Sequence, residues 1–260
     1  MDFFINEILE DERIKEKVRN STELHNEAKA LANKIIATGE KPELEFGMLP
    51  LCTMAFLADN ALKVNTEKGI AKEITVATLK DVNIWIENYK TQFGKDGIAA
   101  FPWLCNHGLG DLFRLGRLQF RIEKSHKGIP GEYAIETHIA QGEPLIAEDC
   151  LESFAMAKEF FKKYFPEYSP ECFMCDSWLL NPNLSDILPD DSNIIKFMKM
   201  WTPVPFESDN SALAIERIFG FGFDANDIAN APENTSLQRK LKAYLLSGGD
   251  MDITLGYRRI

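Results

Sequence analysis

Tyr133-Ala-Ile-Glu-Thr-His-Ile-Ala140, then Gln141-Gly-Glu-Pro-Leu145 and, past a helical stretch, Cys172-Phe-Met-Cys-Asp-Ser-Trp-Leu-Leu180 decide the fold of this chain. The first segment alternates. Tyr133, Ile135, Thr137 and Ile139 share one side, and Ala134, Glu136 and His138 share the other. Successive side chains leave opposite faces of a pleated backbone, so this pattern predicts a strand. A short loop ends it. Cys150, Phe154, Ala157, Phe161 and Phe165 then recur at helical spacing until Pro166, which cannot continue a helix. The run from Cys172 is apolar enough to lie inside a sheet. A β-α-β unit results, and the loop and helix start after its first strand are the expected place for a ligand.

On the N-terminal side of that unit, Leu118, Phe120 and Ile122 alternate with Arg117, Gln119 and Arg121. This predicts a half-buried strand with its polar face in solvent, joined as a hairpin to Tyr133 through the turn-rich Lys127-Gly-Ile-Pro-Gly131. On the C-terminal side, a short helix is expected at 183–188 and a strand at 198–206. Pro203 and Pro205 confine that strand to a sheet edge. Helices follow at 211–219 and 236–246, and alternation at Ile253, Leu255 and Tyr257 predicts a last strand.

Residues before 112 read as helical throughout. Helices are expected at 21–38, closed by Gly39, and at 46–64. A third is expected from an N-cap at Thr78 through Leu79, Val82, Trp85, Ile86, Tyr89 and Phe93, closed by Gly94. Pro102, Gly108 and Gly110 break the apolar piece that follows, and Cys105 and His107 read as packing residues there. The fold class is therefore α+β: a helical N-terminal domain, residues 1–112, followed by a mixed α/β sheet domain, residues 113–260.

The 260 residues carry 29 Lys and Arg against 40 Asp and Glu, a net charge of −11. With no basic cluster, this argues against nucleic acid as a partner. No run of about 18 apolar residues suggests a membrane span, and the first residues lack a basic signal-peptide start. A soluble, cytoplasmic protein is the expectation. The five cysteines are scattered, as in a reducing compartment. Cys172 and Cys175, three apart on a strand, would face opposite sides, and no further ligands stand nearby, so neither a redox pair nor a zinc site is expected.

Several short motifs give the order of elements a further meaning. They are Arg114-Leu-Gly-Arg-Leu-Gln-Phe120, Thr137-His-Ile139 with its loop, Ser153 with Phe160-Phe161 and Phe165-Pro166, Cys175-Asp-Ser-Trp-Leu-Leu180 with Pro182, and Ser192-Asn-Ile194 with Phe197. In these the chain resembles the bacterial GNAT-like acyltransferase domain proteins, in which a helical N-acyltransferase-type domain precedes a GNAT-like domain. The resemblance implies a GNAT fold and acetyl-CoA or another acyl-CoA as donor but little about the acceptor, for which a small-molecule or peptide amine is the expectation. The acyl-pantetheine arm would wedge between the strands at 133–140 and 172–180, against Ile139, Ala140, Gln141, Gly142, Leu145 and Ser177. The loop departs from the usual glycine- and base-rich pattern: it has one glycine, and Glu143, Glu148, Asp149 and Glu152 lie in it or in the first turns of the helix, where they would repel a pyrophosphate.

Acyl transfer to an amine needs a base to take the ammonium proton. Glu136 and His138, two apart on one face, are the candidates. Asp176 joins them, because a carboxylate in an apolar strand needs a partner and His138 is the nearest one if the strands are adjacent. Tyr257 or a water would have to protonate the leaving thiolate, and Cys175 as a nucleophile with His138 is a third scheme. Arg114, Arg117 and Arg121 read as solvent-facing, with phosphate contact as the functional alternative. Trp178 and Trp201 read as core or as pocket walls. Two functions remain in view: an acyl-CoA-dependent N-acyltransferase, and a non-catalytic GNAT-like module that binds a ligand or protein.

Overall fold

The computed structural model describes residues 1–206, 208, 211–220 and 222–260, in two compact units. The first comprises Met1–Leu115 with Ala140–Gly142. Its helices are α1 (Glu12–Asn20), α2 (Thr22–Thr38), α3 (Met48–Glu67), α4 (Lys72–Leu79), α5 (Val82–Phe93) and α6 (Phe101–Leu109), followed by the strand β1 (Phe113–Leu115). The apolar helix α3 is central and packs against α2 and α6. Leu51, Met54, Leu57 and Ala58 are buried along it. Gly108 explains how closely α6 approaches: a Cβ there would lie 2.4 Å from the Leu57 Cβ, so only hydrogen fits.

Two local expectations are corrected here. Thr78 does not cap a helix. It lies inside α4, where its hydroxyl donates to the Ile74 carbonyl and accepts from the Arg114 N–H, and α5 begins anew after Asp81. Pro102 does not break a helix either; it stands in the first turn of α6, where its missing N–H costs nothing. No helix among the described residues is long and apolar enough to cross a membrane.

The second unit comprises Gly116–Ile139 and Glu143–Ile260. It holds β2 (Leu118–Lys124), β3 (Tyr133–His138), α7 (Ala147–Tyr164), β4 (Cys172–Ser177), α8 (Leu184–Ile187), α9 (Asn193–Met198), β5 (Thr202–Val204), α10 (Ser211–Phe219), α11 (Ser236–Leu246) and β6 (Thr254–Arg259). Its strands lie in the spatial order β2, β3, β4, β6, β5. The β2–β3 hairpin is antiparallel, β3 and β4 run parallel across α7, and β6 is antiparallel to both β4 and β5. An aromatic core forms under α7: the Phe154 ring meets Phe173 at 4.9 Å, Trp201 at 5.5 Å and Phe120 at 6.0 Å. Trp201 is thus core, and Trp178 packs against the second cluster, formed by Leu184, Ile195, Ile215 and Leu241.

The run at 172–180 is strand only to Ser177. There the Ser177 hydroxyl accepts the Leu179 N–H and starts a 3-10 turn. Likewise α9 takes the first residue of the expected strand at 198–206, and the strand that remains, β5, is the sheet edge that its proline requires. The polar side of β2 is not solvated as expected: Arg117 is 6% and Gln119 1% exposed. All five cysteines are free and buried.

Candidate active site

The parallel ladder between β3 and β4 joins Ile135 to Phe173 and Glu136 to Met174, and then stops. Both strands continue, to His138 and to Ser177. On the outer sides pairing persists: Gln119 still faces His138, and Thr254 still faces Ser177. Two central strands therefore part while their flanks stay closed. Backbone donors and acceptors along the parting are the natural partners of a third extended segment.

Glu136, His138 and Asp176 stand at that parting. Register and alternation put all three on one face with Arg121, whose β2 position faces Glu136. The Arg121 guanidinium bonds Glu136 through Nε and Glu123 at 2.6 Å through Nη2. His138 Nε2 lies 3.0 Å from the same Glu136 oxygen. Burial alone would raise the Glu136 pKa. The contact with His138 and the charge of Arg121 outweigh it and hold the carboxyl down at about 2. A Glu136 that is ionised at neutral pH is thus fixed beside an imidazole whose side chain is 20% exposed. Such a carboxylate stabilises the imidazolium that proton uptake would create, as the third group of a catalytic triad does.

Asp176 differs from expectation. It is exposed rather than enclosed in an apolar strand, and it forms no bond with His138; its carboxylate bonds its own backbone N–H. Surrounding protein still thins its hydration, and that desolvation, with the nearby negative Glu136, raises its pKa, while His138 opposes the rise. Two carboxyls on one face are pushed apart in acidity, one locked as an anion and one holding its proton more readily. This separation suits a site that must both stabilise charge and move protons.

The loop ahead of α7 is held from beneath. Buried Arg117 donates from Nε to the Pro144 carbonyl at 3.0 Å and from Nη2 to the Glu143 carbonyl at 2.6 Å. The two sides of a trans peptide point oppositely, so the Leu145 N–H is directed away from the guanidinium. Arg117 itself is fixed by Ser153 of α7, whose hydroxyl accepts the Arg117 N–H and donates to the Asp149 carbonyl, each at 2.8 Å. Gly116 makes this turn possible: its φ is +69° and a Cβ there would lie 2.7 Å from the Ser153 Oγ. The N-cap residue of α7 is Ile146, and no side chain caps the helix. Glu148 and Asp149 stand in the first turn, as the sequence indicated, but neither bonds the first N–H groups of the helix.

The remaining candidates fall as follows. Ile139 is half-buried and Ala140 buried, while Gln141 and Gly142 are exposed and Gln141 accepts a bond from Asn88 at 2.9 Å. Leu145 is 8% exposed, and the Ser177 oxygen is taken by its turn. Tyr257 faces Met174 across the β4–β6 ladder, on the same side as Asp176. Arg121 and Arg117 are engaged with carboxylates and carbonyls rather than standing in solvent. Burial pushes the Cys175 thiol well above its ordinary value, against a nucleophilic thiolate. Sequence reasoning missed Arg117 and Ser153 as the loop's support. The turn glycine between two arginines was the available signal.

Residues 112–258 match the family model of the GNAT-like C-terminal domain, and residues 4–109 match the N-acyltransferase N-terminal domain. Among solved structures, an acyltransferase in complex with decanoyl-CoA and teicoplanin is 24% identical with a TM-score of 0.80. An acyltransferase mutant in complex with octanoyl-CoA is 23% identical with a TM-score of 0.80. In both, the match covers 91% of this chain and 77% of the other. No curated protein sequence matches the chain.

Proposed function

The chain belongs to the family of proteins with a GNAT-like C-terminal domain, and we propose that it is an acyl-CoA-dependent N-acyltransferase acting in the cytoplasm on a small-molecule or peptide amine. The observation that carries this reading is the parting of β3 and β4 after Glu136 and Met174, with His138 and Asp176 on its two edges. The acyl-pantetheine arm lies in the gap as the third extended segment. The pyrophosphate takes the Leu145 N–H and the uncapped start of α7. His138 accepts the ammonium proton, Glu136 balances the charge on the ring, and the freed lone pair attacks the thioester carbonyl. As the tetrahedral intermediate collapses, the Asp176 carboxylate takes the second proton from the amine nitrogen, directly or through a water; the C–S bond breaks and coenzyme A leaves as a thiolate, which Tyr257 or a water protonates. Residues 113–260 carry this chemistry, and residues 1–112 serve acceptor recognition. Structurally similar acyltransferases hold octanoyl-CoA and decanoyl-CoA, which favours a medium-chain donor.

The acidic residues Glu143, Glu148 and Asp149 favour a second reading, a binding module without catalysis. Titration calorimetry with decanoyl-CoA, acetyl-CoA and coenzyme A separates the two. Micromolar binding that depends on the acyl chain supports the transferase. Absence of binding at millimolar concentration overturns it in favour of the module.

A further inference from the structure

A pocket of about 350 Å³ opens on the α7 side of the sheet in the second unit. It lies apart from the candidate active site. Its bottom is closed by Ile135, which leaves β3 on the face opposite Glu136, and by Phe161. Its helical wall is the end of α7, far from the loop at 143–145. The walls that solvent reaches are apolar: Phe165 is half-buried and Ile260 is 38% exposed. An apolar group entering there releases the water against them. The rim is cationic. Lys158 and Lys162, one turn apart on α7, are exposed and line the pocket, and neither forms an ion pair or a hydrogen bond with a described residue. Lys163 beside them differs: its ammonium bonds the Tyr164 hydroxyl at 2.9 Å and lies over that ring. Although the chain carries a net charge of −11, no acidic side chain among the described residues lines this pocket. Past the helix, Ser169 lines it with a φ of +41°, a left-handed conformation uncommon for a residue with a Cβ and characteristic of ligand clamps.

We propose that this pocket is a second ligand site, which takes a medium-chain monocarboxylate. The carboxylate pairs with Lys158 and Lys162, and the apolar chain lies against Phe165 and Ile260. Charge and surface complement each other in this arrangement: two free cations stand at the edge of a cavity whose walls are otherwise almost wholly apolar. The volume is that of a small-molecule site. Among the described residues no arginine lines the pocket to grip phosphate oxygens in pairs, which favours a carboxylate over a phosphate ester. The site is independent of the acyltransferase reading, because none of its residues belongs to the parting of β3 and β4.

The test is titration calorimetry of the full chain with octanoate, 1-octanol and acetate, in wild type and in the double variant Lys158→Gln with Lys162→Gln. Wild type should bind octanoate about tenfold more tightly than 1-octanol, the contribution of two exposed ion pairs, and should not bind acetate. The variant should lose that tenfold for octanoate and nothing for 1-octanol. Octanoate can also enter the gap between β3 and β4, so the titration is repeated with saturating decanoyl-CoA. Binding that persists supports the pocket, and displacement of octanoate overturns it. Octanoate binding that is indifferent to the two lysines, or absent at millimolar concentration, overturns it as well. Failure of the acyltransferase reading looks different: decanoyl-CoA would not bind, while octanoate would still depend on Lys158 and Lys162.

Discussion

Two carboxylate–histidine pairs of almost the same length sit in opposite surroundings in this molecule. In the helical unit, His107 Nε2 lies 3.1 Å from Asp81, which also accepts the Trp85 indole N–H. His107 is 1% and Asp81 4% exposed. Desolvation alone would raise the Asp81 pKa, but the bonds from His107 and Trp85 lower it. In the sheet unit, His138 lies 3.0 Å from Glu136, but at the mouth of two parting strands and with a guanidinium behind the carboxylate. The sealed pair can only hold helices together. The open pair has somewhere to send a proton. Access, rather than the identity or spacing of the pair, is what separates the two.

Replacing each histidine by alanine breaks the comparison most directly. His138→Ala should lower turnover by about 10²–10⁴-fold, the usual contribution of a positioned base, and cost less stability than His107→Ala, because Arg121 still holds the Glu136 carboxylate. Turnover within a factor of two of wild type would remove His138 from the mechanism. His107→Ala should do the reverse. It leaves the buried Asp81 carboxylate with the Trp85 indole but without its histidine, so stability should fall by up to about 3 kcal/mol, with turnover per folded molecule intact; denaturant midpoints measure this.

A pH titration of stability sharpens the contrast. Glu136 is held at about 2 instead of its ordinary 4.5, so it stabilises the fold above about pH 4.5 and ceases to as pH falls toward 2. Its contribution at neutral pH is about 3 kcal/mol. Glu136→Gln should therefore start less stable and lose less between those two pH values; a curve parallel to wild type would show that the Arg121 and His138 contacts contribute no net energy. Asp176 has the opposite sign. Its raised pKa costs stability at neutral pH, and Asp176→Asn should relieve a cost that vanishes in acid.

The smallest effect is expected at the start of α7. Glu148→Lys should tighten coenzyme A binding only a few-fold, by about 0.3–1 kcal/mol at low salt, and less as salt screens it. A hundredfold gain would mean that the acid, rather than the uncapped backbone, governs the site.

Alternation made β3, β2 and β6 readable, and helical spacing with Pro166 or Gly94 at the end bounded α7 and α5. These are signals of burial, which one face of a chain records in its own letters. The extent of β4 was not readable, because Trp178-Leu-Leu180 is as apolar in a 3-10 turn as in a strand. Nor was the solvation of Asp176 or the burial of Gln119 and Arg117. A polar letter on a strand suggests solvent unless one knows what packs above it, and that depends on residues far away in sequence. The pairing of Glu136 with His138 was readable because both lie on one strand. Arg121, which sets the acidity of Glu136, needed the hairpin register.

The Arg117 clamp grips the loop at 143–145 by its carbonyls, and every residue type carries one. That part of the grip does not depend on which side chains Glu143 and Pro144 carry, so long as Gly116, Arg117 and Ser153 stay.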